Sequence, residues 1–381
     1  MKSICIITPR DPTSVDSTAM AFVQQFAWAI ADNGIEVTVI CPLPVNLNRR
    51  FNALPDKLEE TTSGGSKVTV ILPKYWGFGQ RDILSYNTAR LTTRNYIKAV
   101  DKAVFRMKEK PEVFYGHFIT PSGIAACRLG EKYDIPAFIG YGESSTWSID
   151  HFGRERVKEA IKNVKGIIAV SSKNKDELIE TGVISGEKIN VFPNGFNPKR
   201  FSPRDKTESR KRFGLPQDAF IVVFVGHFIK RKGIDVLAEA VRGLDDVYLI
   251  CAGKGELKPS GSRVLYADLV SPDQLSYFYS AGDVFVLPTL NEGCCNAIIE
   301  AMACGLPIIS SNRSFNDDIL DADNAIRIDP GSIEEVRSGI EKLRDNSGLR
   351  GDLSKGSLRR SEGLTLAKRT HNILSYIGYK V

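Results

Sequence analysis

The apolar positions of this chain fall into short continuous runs, and between the runs lie longer polar segments whose apolar residues recur at helical spacing. Runs of strand length are predicted over 3–7, 36–41, 67–72, 113–115, 137–141 and 166–170. Among the intervening segments, 16–33 carries Phe22, Phe26 and Ile30 three to four residues apart, with Val23 beside them, and Gly34 stops it. Further helices are predicted over 81–108, 122–133, 154–162 and 173–181. Strands alternating with helices imply a largely parallel, doubly wound sheet. The stretch 190–203, with Pro193, Asn194, Gly195, Pro198 and Pro203, breaks the alternation and reads as a connection between domains. The pattern then restarts, with strands at 220–226, 247–252, 264–266, 283–287 and 307–310 and helices at 234–242 and 272–280. The tail over 332–379 is mostly helical by pattern, interrupted at Gly348, Gly351, Gly356 and Gly363. A second α/β domain is the consequence.

Length agrees, because 381 residues exceed what one hydrophobic core usually serves. With 42% hydrophobic and 25% charged residues the composition is that of an ordinary soluble protein. No apolar run is long enough for a bilayer span. The opening Met-Lys-Ser-Ile-Cys-Ile-Ile-Thr-Pro-Arg reads as a first strand rather than a secretory leader, which places the protein in the cytoplasm. Seven cysteines without a Cys-x-x-Cys spacing support neither a disulfide framework nor a zinc site, and Cys5, Cys41 and Cys251 fall at predicted strands. The net charge of +6 is unevenly spread. Lys98, Lys102, Arg106, Lys108 and Lys110 recur along one predicted helix, and Arg154, Arg156, Lys158, Lys162 and Lys165 along another. Two readings stay open: solvated helix faces, or contact with an anionic membrane surface. No nucleic-acid module is present, so nucleic acid is not an expected partner.

The candidate chemistry lies in two stretches of the second domain. In 288–307, Pro-Thr-Leu-Asn-Glu-Gly-Cys-Cys-Asn-Ala-Ile-Ile-Glu-Ala-Met-Ala-Cys-Gly-Leu-Pro, a strand feeds a turn and then a helix start, where free N–H groups and the helix dipole favour an anion. Glu292 lies on the loop and Glu300 in the helix, and two carboxylates there suit sugar hydroxyls better than phosphates. The second stretch, Val225-Gly-His-Phe-Ile-Lys-Arg-Lys-Gly233, also joins a strand to a helix and sets three consecutive cations between glycines, as a phosphate site would. Asp321-Ala-Asp323 spells an Asp-x-Asp but lies in a polar turn region and reads as structural.

These residues resemble the retaining glycosyltransferases of family four. Glu292 and Glu300, seven residues between them, followed by Ala-Met-Ala-Cys-Gly-Leu-Pro, are similar to that family's paired-glutamate donor motif. Gly226 to Gly233 is similar to its glycine, arginine and lysine loop, Phe-Pro-Asn-Gly-Phe-Asn within 190–203 to its linker, and Ala-Gly-Asp-Val-Phe-Val-Leu-Pro from Ala281 to the strand feeding its donor site. The resemblance implies the GT-B fold: two Rossmann-like, doubly wound α/β domains facing across a cleft. It places an acceptor domain at 1–193, a linker at 194–203, a nucleotide-sugar domain at 204–360 and a C-terminal helix at 361–381 returning to the first domain. The implied activity is retaining, metal-independent transfer of a sugar from a UDP or GDP donor to a saccharide or lipid-linked saccharide, as in surface polysaccharide assembly, with no cofactor.

Carried over by position, Glu300 would accept hydrogen bonds from the ribose, and Glu292 would hold a hydroxyl of the transferred sugar. The backbone of Gly293, Cys294 and Cys295 would meet the sugar and diphosphate, Lys232 would neutralise the leaving phosphate, and Gly226 and Gly253 would let the backbone approach the donor. Asn296 would cap the helix or touch the sugar. The chain departs from the family in three places. His227 stands where the family has arginine, so His227 or Arg231 would supply that charge. The family's histidine after the strand at 137–141 is absent from Gly140-Tyr-Gly142-Glu143-Ser-Ser, so that either Glu143 takes over its hydrogen bond or acceptor binding differs, and the family's glycine pair after the first strand is absent too, with 11–19 in its place. His117, at a strand end, reads first as structural and second as an acceptor-side group. Alternatives on the same fold are a nucleotide-sugar epimerase or a phosphorylase, and outside enzymes a nucleotide-sugar binding protein.

Overall fold

A computed structural model of the chain describes residues 2–16, 19–79, 82–83 and 86–380. It divides into two compact units, Met1–Phe192 with Thr370–Val381, and Pro193–Arg369.

The first unit is built on an eight-stranded sheet in the order Ile189–Val191, Gly166–Ala169, Ala137–Tyr141, Val113–His117, Ser3–Ile7, Glu36–Ile40, Lys67–Ile71 and Lys57–Thr61. All neighbours are parallel except the last pair. The central strands are continuous apolar runs because helices cover both their faces: Ile4, Cys5, Ile6 and Ile7 are all buried. Ser3–Ile7 has Glu36–Ile40 on one side and Val113–His117 on the other, so the winding reverses direction beside it. Open α/β sheets bind ligands at the carboxyl ends of the strands at such a reversal.

Several expectations for this unit need correction. The helix predicted over 16–33 runs only from Ala21 to Ala31, and Ser17 and Thr18 lie outside the described residues. Its buried face is Val23, Phe26, Ala27 and Ile30, while Phe22 points off it and is exposed. The helix predicted over 81–108 is Thr88–Phe105, started by Asn87, whose side chain accepts from the Ala89 amide. Arg81, where it was expected to begin, lies outside the described residues. Arg106, Lys108 and Lys110 fall beyond its end, and Lys110 turns its ammonium back onto the carbonyls of Phe105 and Met107. The second basic helix, Arg154–Ile161, has ion pairs from Arg154 to Asp150 and from Lys162, just past its end, to Glu159. Of the first basic run, Lys98 and Lys102 lie on the helix itself, and both are exposed.

The second unit carries six parallel strands in the order Val264–Asp268, Val247–Ala252, Phe220–Val225, Val284–Leu287, Ile308–Ser311 and Ala325–Ile328. The unit's first strand therefore lies between its second and fourth, and Val222 and Val223 sit opposite Val284 and Phe285. This places the reversal between Phe220–Val225 and Val284–Leu287. The loops leaving those two strands are the two stretches singled out by their chemistry. The segment read as a connection is structured: Asn190 and Val191 belong to the edge strand of the first sheet, and Phe196 pairs with Thr365 inside the second unit.

At the opposite end of the second sheet, the helix Lys206–Arg212 is fixed by Arg210, 3% exposed. The Arg210 guanidinium reaches Asp283 at 2.9 Å and the Ala281 carbonyl at 3.0 Å, and Asp283 also accepts from the Ile221 amide at 2.7 Å. In the tail, Gly348, Gly351 and Gly356 do not interrupt the pattern but lie within one helix, Ser347–Ser361. At Gly356 a side chain would collide with the Asp323 carbonyl, so this glycine permits a helix to pack where propensity alone argues against one.

Candidate active site

The loop after Phe220–Val225 places Gly226 and His227 first, then a turn of 3₁₀ helix over Lys230–Lys232, then the helix Ile234–Arg242. Gly233, at φ +69°, makes the junction, and any Cβ there would run into the Pro288 carbonyl of the other loop. The two loops are thus in direct backbone contact, and Leu290 donates to the Arg231 carbonyl at 2.8 Å.

Their side chains converge on Glu292. Its Oε1 accepts from Lys232 Nζ at 2.6 Å, from Arg231 Nη1 at 2.8 Å and from Thr289 Oγ1 at 2.8 Å. Lys232 and Glu292 are both largely buried, while Arg231 is more open and also reaches the Asn291 carbonyl. An ammonium has three donors, of which Glu292 engages one, so Lys232 is both fixed in place and able to serve an anion. His227 and Lys230 are exposed on the same loop.

The helix Asn296–Ala303 begins behind this cluster. Its cap position is Cys295, which makes no side-chain capping hydrogen bond, its sulfur lying beside the Ala297 and Ile298 amides. Asn296, one of two roles for which was that of cap, is instead the first helical residue and exposed. Burial pushes the Cys294 thiol up to about 12 and raises that of Cys295, so both stay protonated and offer the site their backbone rather than a thiolate. The Cys294 carbonyl accepts from Asn194 Nδ2 at 3.1 Å. Gly293 is buried, and Gly253 follows the neighbouring strand, its amide donating to the Asp268 carbonyl. Glu300 is partly exposed by area, yet lies deep enough that desolvation raises its carboxyl to about 7. Tyr279, fully buried, donates to its Oε2 at 2.9 Å.

In the first unit, the strand ends beside the reversal carry Asp11 and His117. The His117 ring packs among Phe22, Tyr115 and Phe118, with centroids 5.3, 6.1 and 4.5 Å away. Gly142 and Glu143 follow the next strand, where Glu143 Oε2 accepts from Ser148 Oγ at 2.5 Å and burial raises its carboxyl to about 7. Sequence reasoning passed over three neighbours of these groups. Thr289 precedes Glu292 by three residues and was readable as a turn residue. Tyr279 carried no signal, being 21 residues from Glu300. Asp11 was noted only as part of a loop, but it is 3% exposed and neither carboxylate oxygen has a hydrogen-bond partner among the described residues.

Desolvation, reinforced by the Glu60 charge, raises the Asp11 carboxyl to about 7. A folded-state value above the unfolded one near 4 means that the neutral acid is the stable form in the fold. Its contribution is complete below pH 4 and lost as pH rises through 7. Asp11→Asn should therefore match the parent protein near pH 4 and exceed it at pH 8, by on the order of 2 kcal/mol in urea unfolding. Equal stabilities at pH 8 would refute this.

Asp321 and Asp323 form a turn closed by the Asp323 amide on Asp321 Oδ1 at 2.9 Å. Among the described residues no three metal-capable side chains converge there or elsewhere.

The second unit thus holds, at its strand reversal, two glutamates, a cationic loop and a helix start, and comparison with known families gives the class of protein. The family model "Glycosyl transferases group 1" matches residues 205–360 and "Glycosyltransferase Family 4" matches 21–200. The chain belongs to this glycosyltransferase family and has its GT-B fold. Among its relatives, TuaC of Bacillus subtilis, a glycosyltransferase assigned by name to teichuronic acid biosynthesis, is 27% identical over 350 residues, 88% of this chain and 87% of that one. Similar solved folds include sucrose-phosphate synthase from Thermosynechococcus elongatus, with TM-score 0.78, 18% identity and 99% of both chains covered. Another is Anabaena Alr3699/HepE in complex with UDP and glucose, with TM-score 0.72, 15% identity and 99% of both chains covered.

Proposed function

We propose that the protein transfers a sugar, with retention of anomeric configuration, from a UDP- or GDP-sugar to a saccharide acceptor, without a metal ion. The observation that carries this reading is the convergence of Lys232, Arg231 and Thr289 on one oxygen of Glu292 beside a helix start. Charge develops on the leaving diphosphate as the glycosidic bond breaks. Lys232, the cation of Arg231 or His227, and the amides at Cys294–Asn296 are fixed where that charge grows. Glu292 holds a hydroxyl of the departing sugar, and its bond to Lys232 fixes the sugar relative to the phosphate. Glu300 takes the ribose hydroxyls. The acceptor proton passes to the leaving phosphate oxygen on the same face, so no further base is needed. Acceptor-side groups are Asp11, His117, Gly142 and Glu143. The name of TuaC supports a polysaccharide product, and a lipid-linked acceptor at the cytoplasmic membrane face fits such a product.

The test is incubation with UDP- and GDP-sugars while nucleotide release and the anomeric configuration of the product are followed by NMR. Nucleotide release with a retained anomer supports transfer. Change of the donor without an acceptor would identify an epimerase, dependence on phosphate a phosphorylase, and tight binding without turnover a binding protein. Ribose hydroxyls bind an ionised carboxylate better than a neutral acid. Because Glu300 titrates near 7, affinity for the free nucleotide should rise about tenfold from pH 6 to pH 8. Glu300→Gln should bind weakly with a flat pH profile; a parent profile that is itself flat would remove Glu300 from the ribose site.

A further inference from the structure

In the first unit a parallel pair of two-residue strands, Leu43–Pro44 and Lys74–Tyr75, holds two loops side by side. Asn46 and Gly77 exchange two hydrogen bonds across them, at 2.7 and 2.8 Å. The second loop is tied down again, the Trp76 carbonyl accepting from Asn95 and the Phe78 amide donating to Thr92, both on the helix Thr88–Phe105. On this braced support Leu47, Trp76 and Phe78 stand 58%, 65% and 42% exposed. Three large apolar side chains held in water by a rigid frame are unfavourable unless something covers them.

The charge carried by the same loops and by the helix that tethers them indicates what covers them. Arg49 and Arg50 follow Leu47, and Arg90, Arg94 and Lys98 recur four residues apart on the helix that tethers Trp76 and Phe78. All five are exposed, and none enters an ion pair among the described residues. The segments 42–55, 72–79 and 87–100 contain no Asp or Glu. Trp and Phe among unpaired Arg and Lys are the side chains that settle at a bilayer surface, the rings at headgroup depth and the cations on anionic lipid. We infer that this face, which takes in the exposed cations of the helix Thr88–Phe105, docks the protein on an anionic membrane by inserting Leu47, Trp76 and Phe78. The inference does not depend on the transfer chemistry, since it concerns no residue of the donor site.

Full-length protein is mixed with vesicles of phosphatidylcholine alone or with phosphatidylglycerol, and binding is measured by sedimentation. Binding should require phosphatidylglycerol and weaken with salt, with Trp fluorescence shifted to the blue. Trp76→Ala with Phe78→Ala should cut binding at least about tenfold, and Arg90→Ala and Arg94→Ala about fivefold each. Unchanged circular dichroism and nucleotide binding in these variants exclude misfolding. No vesicle binding by the parent protein, binding that the variants leave unchanged, or equal competition by a soluble polyanion such as heparin would overturn the inference.

Discussion

Lys232→Ala is expected to remain folded and to lose about 10² to 10³ in the rate of nucleotide release, with most of the loss in kcat. Fold retention follows because Arg231 and Thr289 still hold Glu292 after the ammonium is removed. The rate loss follows from where the cation sits. It is largely buried, its position is set by a 2.6 Å contact to Glu292, and its role under the proposed reaction is to meet charge that exists fully only once the bond has broken. An interaction stronger in the transition state than in the bound donor lowers kcat when lost and leaves KM nearly unchanged. Lys232→Arg keeps the charge without the point geometry and should recover part of the rate. Steady-state assays on both variants, with unfolding curves alongside, decide the matter: an unchanged kcat in Lys232→Ala would remove the residue from the chemistry.

The second large effect is on stability. Asp283→Ala should destabilise the second unit by about 3–5 kcal/mol, because it strands the buried Arg210 guanidinium and the Ile221 amide. The pair joins the entry helix to the first and fourth strands of the sheet. Its loss acts at the end of the sheet away from the donor loops. Urea unfolding should show the loss directly, while nucleotide affinity of the protein that remains folded should be preserved. A midpoint within experimental error of the parent would mean that the ion pair contributes nothing net. Asp283→Ala combined with Arg210→Met should recover much of the stability, since an apolar pair avoids the desolvation cost.

The donor half of the site was readable because its chemistry is local. Phe220–Val225 and Val284–Leu287 are continuous apolar runs followed at once by glycine or proline, so both loops could be placed at strand ends from composition alone. Their meeting could not be read, since Lys232 and Glu292 are 60 residues apart and only the strand order brings them together. Polar edge elements were missed for a related reason. Lys57–Thr61 alternates partly covered and exposed positions and pairs with a single neighbour, so it lacks the apolar run that marks a central strand. The helix Lys206–Arg212 is wholly polar, with five charged residues of seven, and is held by one buried arginine rather than by an apolar stripe. Glycines in 347–361 concealed a helix whose packing needs one of them. Asp11 shows the limit most plainly, because a carboxylate in a polar loop reads as solvated until burial is known.

The partition of the chain has a consequence for its biosynthesis. Residues 370–381 complete the first unit: Ile373 and Leu374 lie in its core, and the Tyr376 and Tyr379 hydroxyls donate to the Lys188 and Ser3 carbonyls. The second unit, by contrast, is one uninterrupted stretch. A nascent chain can therefore finish the later-synthesised unit before the earlier one, whose first strand must wait for residues translated more than 360 positions afterwards. Until they emerge, the core that Ile373 and Leu374 complete on the first sheet stays open, and it is the part of the molecule that a chaperone would meet.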